Sequence, residues 1–411
     1  MSPHAALAEM LFGGRTTVRL DPSTVGLAKI PFNKPFIAGA ELFHIARAVT
    51  LANLAGDGHF TEQCAHVLEQ RFNIPKVLMT PSCTAALEMA AQLCDLKPGD
   101  EVIMPSFTFV STANAVVQQG ARPVFVDIRR DTLNIDEQKI EQAITARTRA
   151  IFAVHYAGVG CEMDTIMDLA QAHDLLVVED AAQGVNAFYK GRALGSIGHL
   201  GCYSFHETKN VICGEGGALC INDSHFTVRA EIIRDKGTNR KQFFRGQVDK
   251  YTWVDVGSSY VPSEIACAFL FGQLEHLDRI ASRRSEVYAT YDRLLATLAS
   301  SAAIGLPCIP DECQSNSHLY YLLLENEATR NELMACLQSQ GIAAVFHYVP
   351  LHTAPMAKKL GLDSRELPVT EDVANRLLRL PLFFDLTSAE QESIVAAIDC
   401  FLKPDSIRLA A

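Results

Sequence analysis

The chain carries Leu175-Leu-Val-Val-Glu179-Asp180-Ala-Ala-Gln183 and, a little further on, Gly201-Cys-Tyr-Ser204-Phe-His-Glu-Thr-Lys209-Asn-Val-Ile-Cys-Gly214-Glu-Gly-Gly217. Each stretch opens with an apolar run that does not alternate with polar residues. Such a run reads as a strand covered on both faces, as in a parallel sheet between helices. Each run then ends in a polar group. Ligands of open α/β sheets collect at the carboxyl ends of the strands, so Asp180 and Ser204 fall at the expected rim.

Working outward, runs of the same kind occur at 76–79, 101–104, 122–126, 150–154 and 217–221. Helical patterns lie between them, for example at 85–94 and 161–173. This alternation predicts an α/β fold with a mostly parallel central sheet. Past residue 264 the pattern changes to long helical stretches at 264–299, 330–340, 370–379 and 388–402. The expected organisation is an N-terminal extension (1–29), a large domain (30–278) and a smaller C-terminal domain (279–411). Pro22 to Pro31 reads as an extended arm.

With 411 residues, 48% of them hydrophobic, the chain can bury a core larger than one small domain needs. A net charge of -11 disfavours nucleic acid as a partner, because phosphate backbones call for a basic field. The 12 cysteines contain no Cys-x-x-Cys, and several sit in apolar runs, so reduced core thiols are expected. The start of the chain has Glu9 in its only apolar stretch and no basic lead, unlike a secretory signal. No run approaches the ~18 apolar residues of a membrane span. A soluble, cytoplasmic protein with no membrane partner is the expectation. There is no Gly-x-Gly-x-x-Gly after a strand, no Walker A sequence and no His-Glu-x-x-His, so a dehydrogenase is disfavoured and no metal site is expected.

Lys209 stands in a Gly-rich turn after the strand that ends in Ser204. Gly214, Gly216 and Gly217 leave room for a flat cofactor. A lysine so placed, with an acid at the end of a neighbouring strand, is the arrangement that pyridoxal phosphate requires. The lysine forms the Schiff base and, once released, shuttles a proton as a free amine; both roles call for a lowered pKa. Asp180 would keep the pyridine nitrogen protonated; read alone, it serves equally as a helix N-cap. Gln183 is placed to hydrogen-bond the ring hydroxyl. The turn Thr80-Pro-Ser82-Cys83-Thr84-Ala85 joins a strand to a helix, where free N–H groups and the Thr84 hydroxyl suit a phosphate; an ordinary cap fits the same residues. Phe109 could stack on a ring or fill the core.

Four pieces in order resemble the DegT/DnrJ/EryC1/StrS sugar aminotransferases. They are Thr84-Ala-x-Leu, Pro105-x-x-Thr-Phe109, Val178-Glu-Asp180-Ala-Ala-Gln183, and Ser204-Phe-His-x-x-Lys209 with Gly-Glu-Gly-Gly. His347-Tyr-Val-Pro350-Leu-His352 and Leu380-Pro-Leu carry the resemblance towards the C-terminus. It implies a fold type I, aspartate aminotransferase-like enzyme with a smaller C-terminal α+β domain. By the same resemblance Lys209 is the Schiff-base lysine and Asp180 the pyridinium partner. Gln183 faces the ring oxygen, Phe109 stacks, and Thr84 and Ser204 hold phosphate. The family is dimeric, with active sites shared between subunits.

The 236–253 stretch, Gly257-Ser-Ser-Tyr260, and Cys83 where many members have Gly are most similar to the dTDP-4-amino-4,6-dideoxygalactose transaminases. The implied substrate is a nucleotide-linked 4-keto-6-deoxyhexose aminated at C4 from glutamate, in the galacto or gluco configuration. His347, Arg240 and Arg245 are candidate substrate residues. Ser259 and Val261 depart from a loop whose Asn, in many members, reaches the neighbour's cofactor phosphate. Family dehydratases carry histidine in place of the lysine, so an intact Lys209 disfavours dehydration. A cofactor-binding regulator without catalysis is the reading from another class.

Overall fold

The computed structural model describes residues 29–301, 303–362 and 366–403. Most of the expected N-terminal extension, residues 1–28, lies outside them. Seven strands form the central sheet: β1 Lys76–Thr80, β2 Glu101–Pro105, β3 Arg122–Val126, β4 Thr148–Val154, β5 Leu176–Asp180, β8 Leu200–Ser204 and β9 Gly217–Ile221. Their order is β1-β9-β8-β5-β4-β2-β3. All neighbours are parallel except those of β9, which runs against both β1 and β8. The short β6 Phe188–Tyr189 and β7 Arg192–Ala193 pair with each other, and β10 Cys313–Gln314 joins β6.

The unbroken apolar runs follow from packing on both faces of this sheet. Val77, Met79, Ile151 and Val177 enter one core, and their chain neighbours Leu78, Ala150, Phe152 and Val178 enter the other. The side-chain period of two therefore leaves no face for polar residues. The helix Cys83–Leu93 packs across β8 and β9 and buries Ala86, Leu87 and Ala90. Its start is fixed by Ser82, whose hydroxyl accepts the Ala85 N–H at 3.1 Å.

A further core gathers Tyr291, Leu295, Leu322, Leu333, Leu378 and Ile394. It lies between the antiparallel pair β11 Tyr320–Leu323 and β12 Leu377–Leu380 and the helices Glu327–Ser339 and Ser388–Leu402. The last helix begins with a reciprocal cap between Thr387 and Glu390. The helix Leu277–Ser300 runs from one core into another: Leu277 and Ile280 pack beside the large sheet, while Val287 and Leu298 pack in the C-terminal cluster. Ile30 also belongs to that cluster, through a bridge to Ile342.

Two expected helices differ. The 264–299 stretch is two helices, Glu264–Leu274 and Leu277–Ser300, with a turn at Glu275–His276 that lets Leu274 and Leu277 enter the same core. The 370–379 stretch starts as the helix Pro368–Arg376 and then extends, because Leu377–Leu380 pairs with Tyr320–Leu323. Among the described residues no helix is long and apolar enough to cross a membrane. None of their His, Cys, Asp and Glu side chains group as a metal site.

Candidate active site

The carboxyl ends of β1, β2, β5 and β8 open on one cavity of about 830 Å³. Lys209, Asp180, Gln183 and Ser204 line it, with Thr84, Cys83, Phe109 and His347. Eight predicted residues from separate stretches therefore converge. Arg240 and Arg245 lie outside that cavity. Arg240 sits over the Phe244 ring at 5.2 Å, and Arg245 donates to Glu231 Oε2 at 2.9 Å.

Asp180 ends β5 and is only 5% exposed. The Thr112 hydroxyl donates to its Oδ2 at 2.7 Å, and the Ala182 N–H donates to Oδ1 at 3.1 Å. Thr112 lies in the first turns of the helix Val110–Gln118 and also meets Thr108 at 3.0 Å. It was not legible beforehand, since no pattern links residues that far apart. The carboxylate is thus held in place with one edge towards the cavity.

Its neighbour Glu179 points to the other side of the strand and is fully buried. Its Oε1 accepts the Ile197 and Gly198 N–H groups, each at 2.6 Å. Its Oε2 accepts from Gly195 N at 2.7 Å and from His155 Nε2 at 2.8 Å. The Cys161 N–H donates to His155 Nδ1 at 3.1 Å, which places the ring proton on Nε2.

Lys209 follows in the turn after β8, its own N–H donating to His206 O at 2.9 Å. Burial lowers its ammonium pKa; Cys83 and Asp180 oppose that shift and the Arg379 charge adds to it. Burial raises the Cys83 thiol well above its ordinary value, with the Asp180 carboxylate adding to the effect.

One end of the cavity is built for an anion. The N-terminus of the helix Cys83–Leu93 faces it, and the Thr84 hydroxyl meets Ser111 Oγ at 2.8 Å. Ser204 lies level with Gly217, and Gly217 with Thr80, across three adjacent strands. A Cβ on Gly217 would stand 2.4 Å from the Ser82 carbonyl carbon and 2.5 Å from Cys83 N. Only glycine lets β9 pass so close beneath the helix start.

C-terminal elements form the opposite wall. Gln183 accepts the Ala157 N–H at 2.7 Å through its amide oxygen, which turns its NH2 to the Tyr348 hydroxyl at 2.9 Å. Tyr348 stacks on His347 at 3.7 Å, and His347 Nδ1 lies 2.7 Å from the Tyr156 hydroxyl. Burial holds His347 and His318 well below the usual histidine range. Phe109 is 58% exposed at the rim, 6.5 Å from the Tyr348 ring. Arg379 of β12 also lines the cavity.

An anion seat, a slot with an exposed aromatic ring at its rim, a carboxylate at its floor and an amine with a lowered pKa suit a flat, phosphate-bearing aldehyde.

Comparison with known proteins agrees. The family model described as the DegT/DnrJ/EryC1/StrS aminotransferase family matches residues 38–399. The chain is 31% identical over 382 residues to the spore coat polysaccharide biosynthesis protein SpsC of Bacillus subtilis, covering 91% of this chain and 97% of that one. It is 36% identical over 321 residues to a pleiotropic regulatory protein of Geobacillus stearothermophilus, covering 77% and 82%. Among solved structures, Spr1654 of Streptococcus pneumoniae in its PMP form superposes with a TM-score of 0.85 at 26% identity, covering 92% of this chain and 100% of that one. A PLP form of the same protein is also known. The large sheet and C-terminal unit described above are accordingly those of a fold type I transferase, and its cofactor is pyridoxal phosphate. This chain belongs to the DegT/DnrJ/EryC1/StrS aminotransferase family.

Proposed function

We propose that this aminotransferase moves an amino group from glutamate to C4 of a nucleotide-linked, dTDP-type 4-keto-6-deoxyhexose. The observation that carries the reading is the convergence of Lys209, with its lowered pKa, and Asp180 on one cavity. Lys209 holds the cofactor's aldehyde carbon and, when free, carries a proton between substrate carbon and cofactor. Asp180, fixed by Thr112, keeps the ring nitrogen protonated. Gln183 offers its NH2 to the ring oxygen. Thr84 and Ser204 hold the phosphate at the helix start, Cys83 packs beside them, and Phe109 covers the ring. Bound there, pyridoxal phosphate supplies an electron sink for proton loss at the amine-bearing carbon.

A lysine rather than a histidine at 209 favours amino transfer over dehydration. His347 belongs to the substrate side of the cavity. Arg240 and Arg245 serve substrate only across a subunit boundary, in a cytoplasmic homodimer. Exposed Phe244, Trp253 and Val256, at 67%, 77% and 70%, support such an interface. Ser259 and Val261 leave the partner's phosphate without the Asn contact found in many members. The chain divides near Asp278 into a large cofactor-binding domain and a small one.

The name of the 36%-identical relative favours a second reading, a cofactor-binding regulator. One experiment separates the two. The purified protein is incubated with glutamate and dTDP-4-keto-6-deoxyglucose, and the product is read by NMR. A 4-amino sugar is expected, and its C4 proton couplings give galacto or gluco. Glutamate that leaves the cofactor spectrum unchanged, with no amino sugar formed, would favour the regulator.

A further inference from the structure

One titratable group on the cavity wall has no role above. His318 lines the cavity with Lys209, and burial holds its ring neutral, with the Lys209 charge adding to the effect. Its backbone and its ring are each fixed. The carbonyl of His318 accepts from Arg284 Nη2 at 2.6 Å, and that of Ser317 from Arg284 Nε at 3.2 Å. Ser317 stands at φ 54°, a left-handed conformation uncommon for a residue with a side chain. The ring is tied to Asn210, the chain neighbour of Lys209: His318 Nδ1 lies 2.9 Å from Asn210 Oδ1.

The proton on the ring follows from these contacts. The Asn210 NH2 donates to Asn316 O at 2.8 Å. A backbone carbonyl only accepts, so the amide oxygen is the end that faces His318. Nδ1 must then donate, and in a neutral imidazole Nε2 is left as the acceptor. Among the described residues no protein group bonds to Nε2. The ring thus presents a lone pair, without charge, to a cavity that also holds a lysine. His155 on the same cavity has the opposite sense, since its Nε2 carries the proton and gives it to Glu179.

We infer that His318 is a positioning residue for Lys209: its Nε2 accepts a hydrogen bond from the ε-amine whenever that amine is free of the cofactor. A free lysine ends a flexible stem, and its amine rotates. To take a proton, its lone pair must face the reacting carbon. An acceptor behind the amine fixes one N–H and so turns the lone pair. A carboxylate in that place would also orient the amine, but it would favour the ammonium, which has no lone pair. A neutral imidazole orients the amine and leaves it basic. The inference rests on Lys209 being the amine that holds the cofactor, and it assigns the residue behind that amine.

The test uses two variants that divide the ring. His318→Asn puts an amide where Nδ1 was and keeps the tie to Asn210. His318→Gln puts one where Nε2 was and keeps the acceptor. The cofactor spectrum and the urea midpoint first establish that each holoprotein is loaded and folded. Conversion of the cofactor by glutamate then gives kcat and KM separately. A second readout needs no turnover. With the histidines isotope-labelled at nitrogen, the His318 Nε2 resonance is assigned by its loss in His318→Gln. It is followed in protein loaded with pyridoxal phosphate and in protein loaded with pyridoxamine phosphate, which leaves Lys209 free.

His318→Asn is expected to lower kcat by roughly 10- to 100-fold, with the glutamate KM within about twofold of wild type, and His318→Gln to recover most of that loss. The wild-type Nε2 resonance should be that of an unprotonated nitrogen and should move when Lys209 is freed; in Lys209→Ala it should stay in place. A kcat for His318→Asn equal to or above that of His318→Gln would leave the ring a structural role only and overturn the inference. An Nε2 that carries the proton, or that moves equally in Lys209→Ala, would overturn it too. Failure of the aminotransferase reading looks different: no amino acid would convert the wild-type cofactor, while the resonance still reports whether His318 meets Lys209.

Discussion

The two walls of the cavity are built on different terms. On the sheet side the carboxylate and the helix start are tied down before any ligand arrives. Asp180 takes two donors, Thr84 meets Ser111, and Gly217 lets the helix start lie close over β9. On the C-terminal side, burial holds His347 and His318 well below the usual histidine range, and Arg379 has no acidic partner among the described residues. A fixed wall suits one cofactor in one pose. A wall with unmet capacity suits ligands that come and go, such as the two substrates that a transamination must accept in turn.

The largest test of this contrast is Lys209→Ala. Turnover should fall by roughly 10⁴-fold or more, and the borohydride-trapped cofactor adduct should vanish from the peptide map. An adduct that persists would remove Lys209 from its role. Asp180→Asn comes next. It should keep the cofactor bound, because the proposed anion seat at the helix start is untouched, yet lose roughly 10²- to 10³-fold in turnover as the ring nitrogen loses its proposed partner. Near-normal rates would show that the fixed wall does not tune the chemistry.

Glu179→Gln tests the adjacent carboxylate, which holds three backbone N–H groups and the cavity-lining His155. It places an amide NH2 among four donors. The unfolding midpoint in urea should drop by the equivalent of about 3 kcal/mol, with turnover of the folded fraction within a few-fold of wild type. A stable but inactive variant would move Glu179 into the chemistry.

The smallest effect is expected on the C-terminal wall. His347 and His318 have lowered folded-state pKa values, so below the ordinary value of 6.5 the unfolded chain binds protons that the folded one refuses. Stability is therefore lost as pH falls from 6.5 towards those depressed values. The loss in melting temperature between pH 7 and pH 5 should be smaller in His347→Asn, by about 2 °C. An identical loss in both proteins would show that this histidine is not held neutral.

What the sequence made legible follows the same division. Lys209, Asp180 and Gln183 announce themselves because each sits in a short motif at a strand end, and the runs that bear them are apolar on both faces. Thr112 and Ser111 did not, because their partners Asp180 and Thr84 lie in other elements. Nor did the Gln183–Tyr348 contact, which joins residues 165 apart. Arg379 was hidden by a helical pattern that continues past Arg376. On a helix it would have read as a solvated charge; pairing of Leu377–Leu380 with Tyr320–Leu323 makes it a strand residue instead. Local periodicity cannot report a partner that long-range pairing supplies.

The level row formed by Thr80, Gly217 and Ser204 also bears on how the molecule is made. Ser204 and Gly217 come from strands consecutive in the chain, Thr80 from a strand far upstream, and the reversed β9 must slot between the other two. A slip of one residue in either register would turn Ser204 away and unseat the helix start above it. The anion seat is therefore complete only once the long-range pairing of β1 with β9 has formed. Bound cofactor, with its own absorption, then acts as a stamp on finished molecules: in a mixture of nascent, misregistered and mature chains, colour counts only the last.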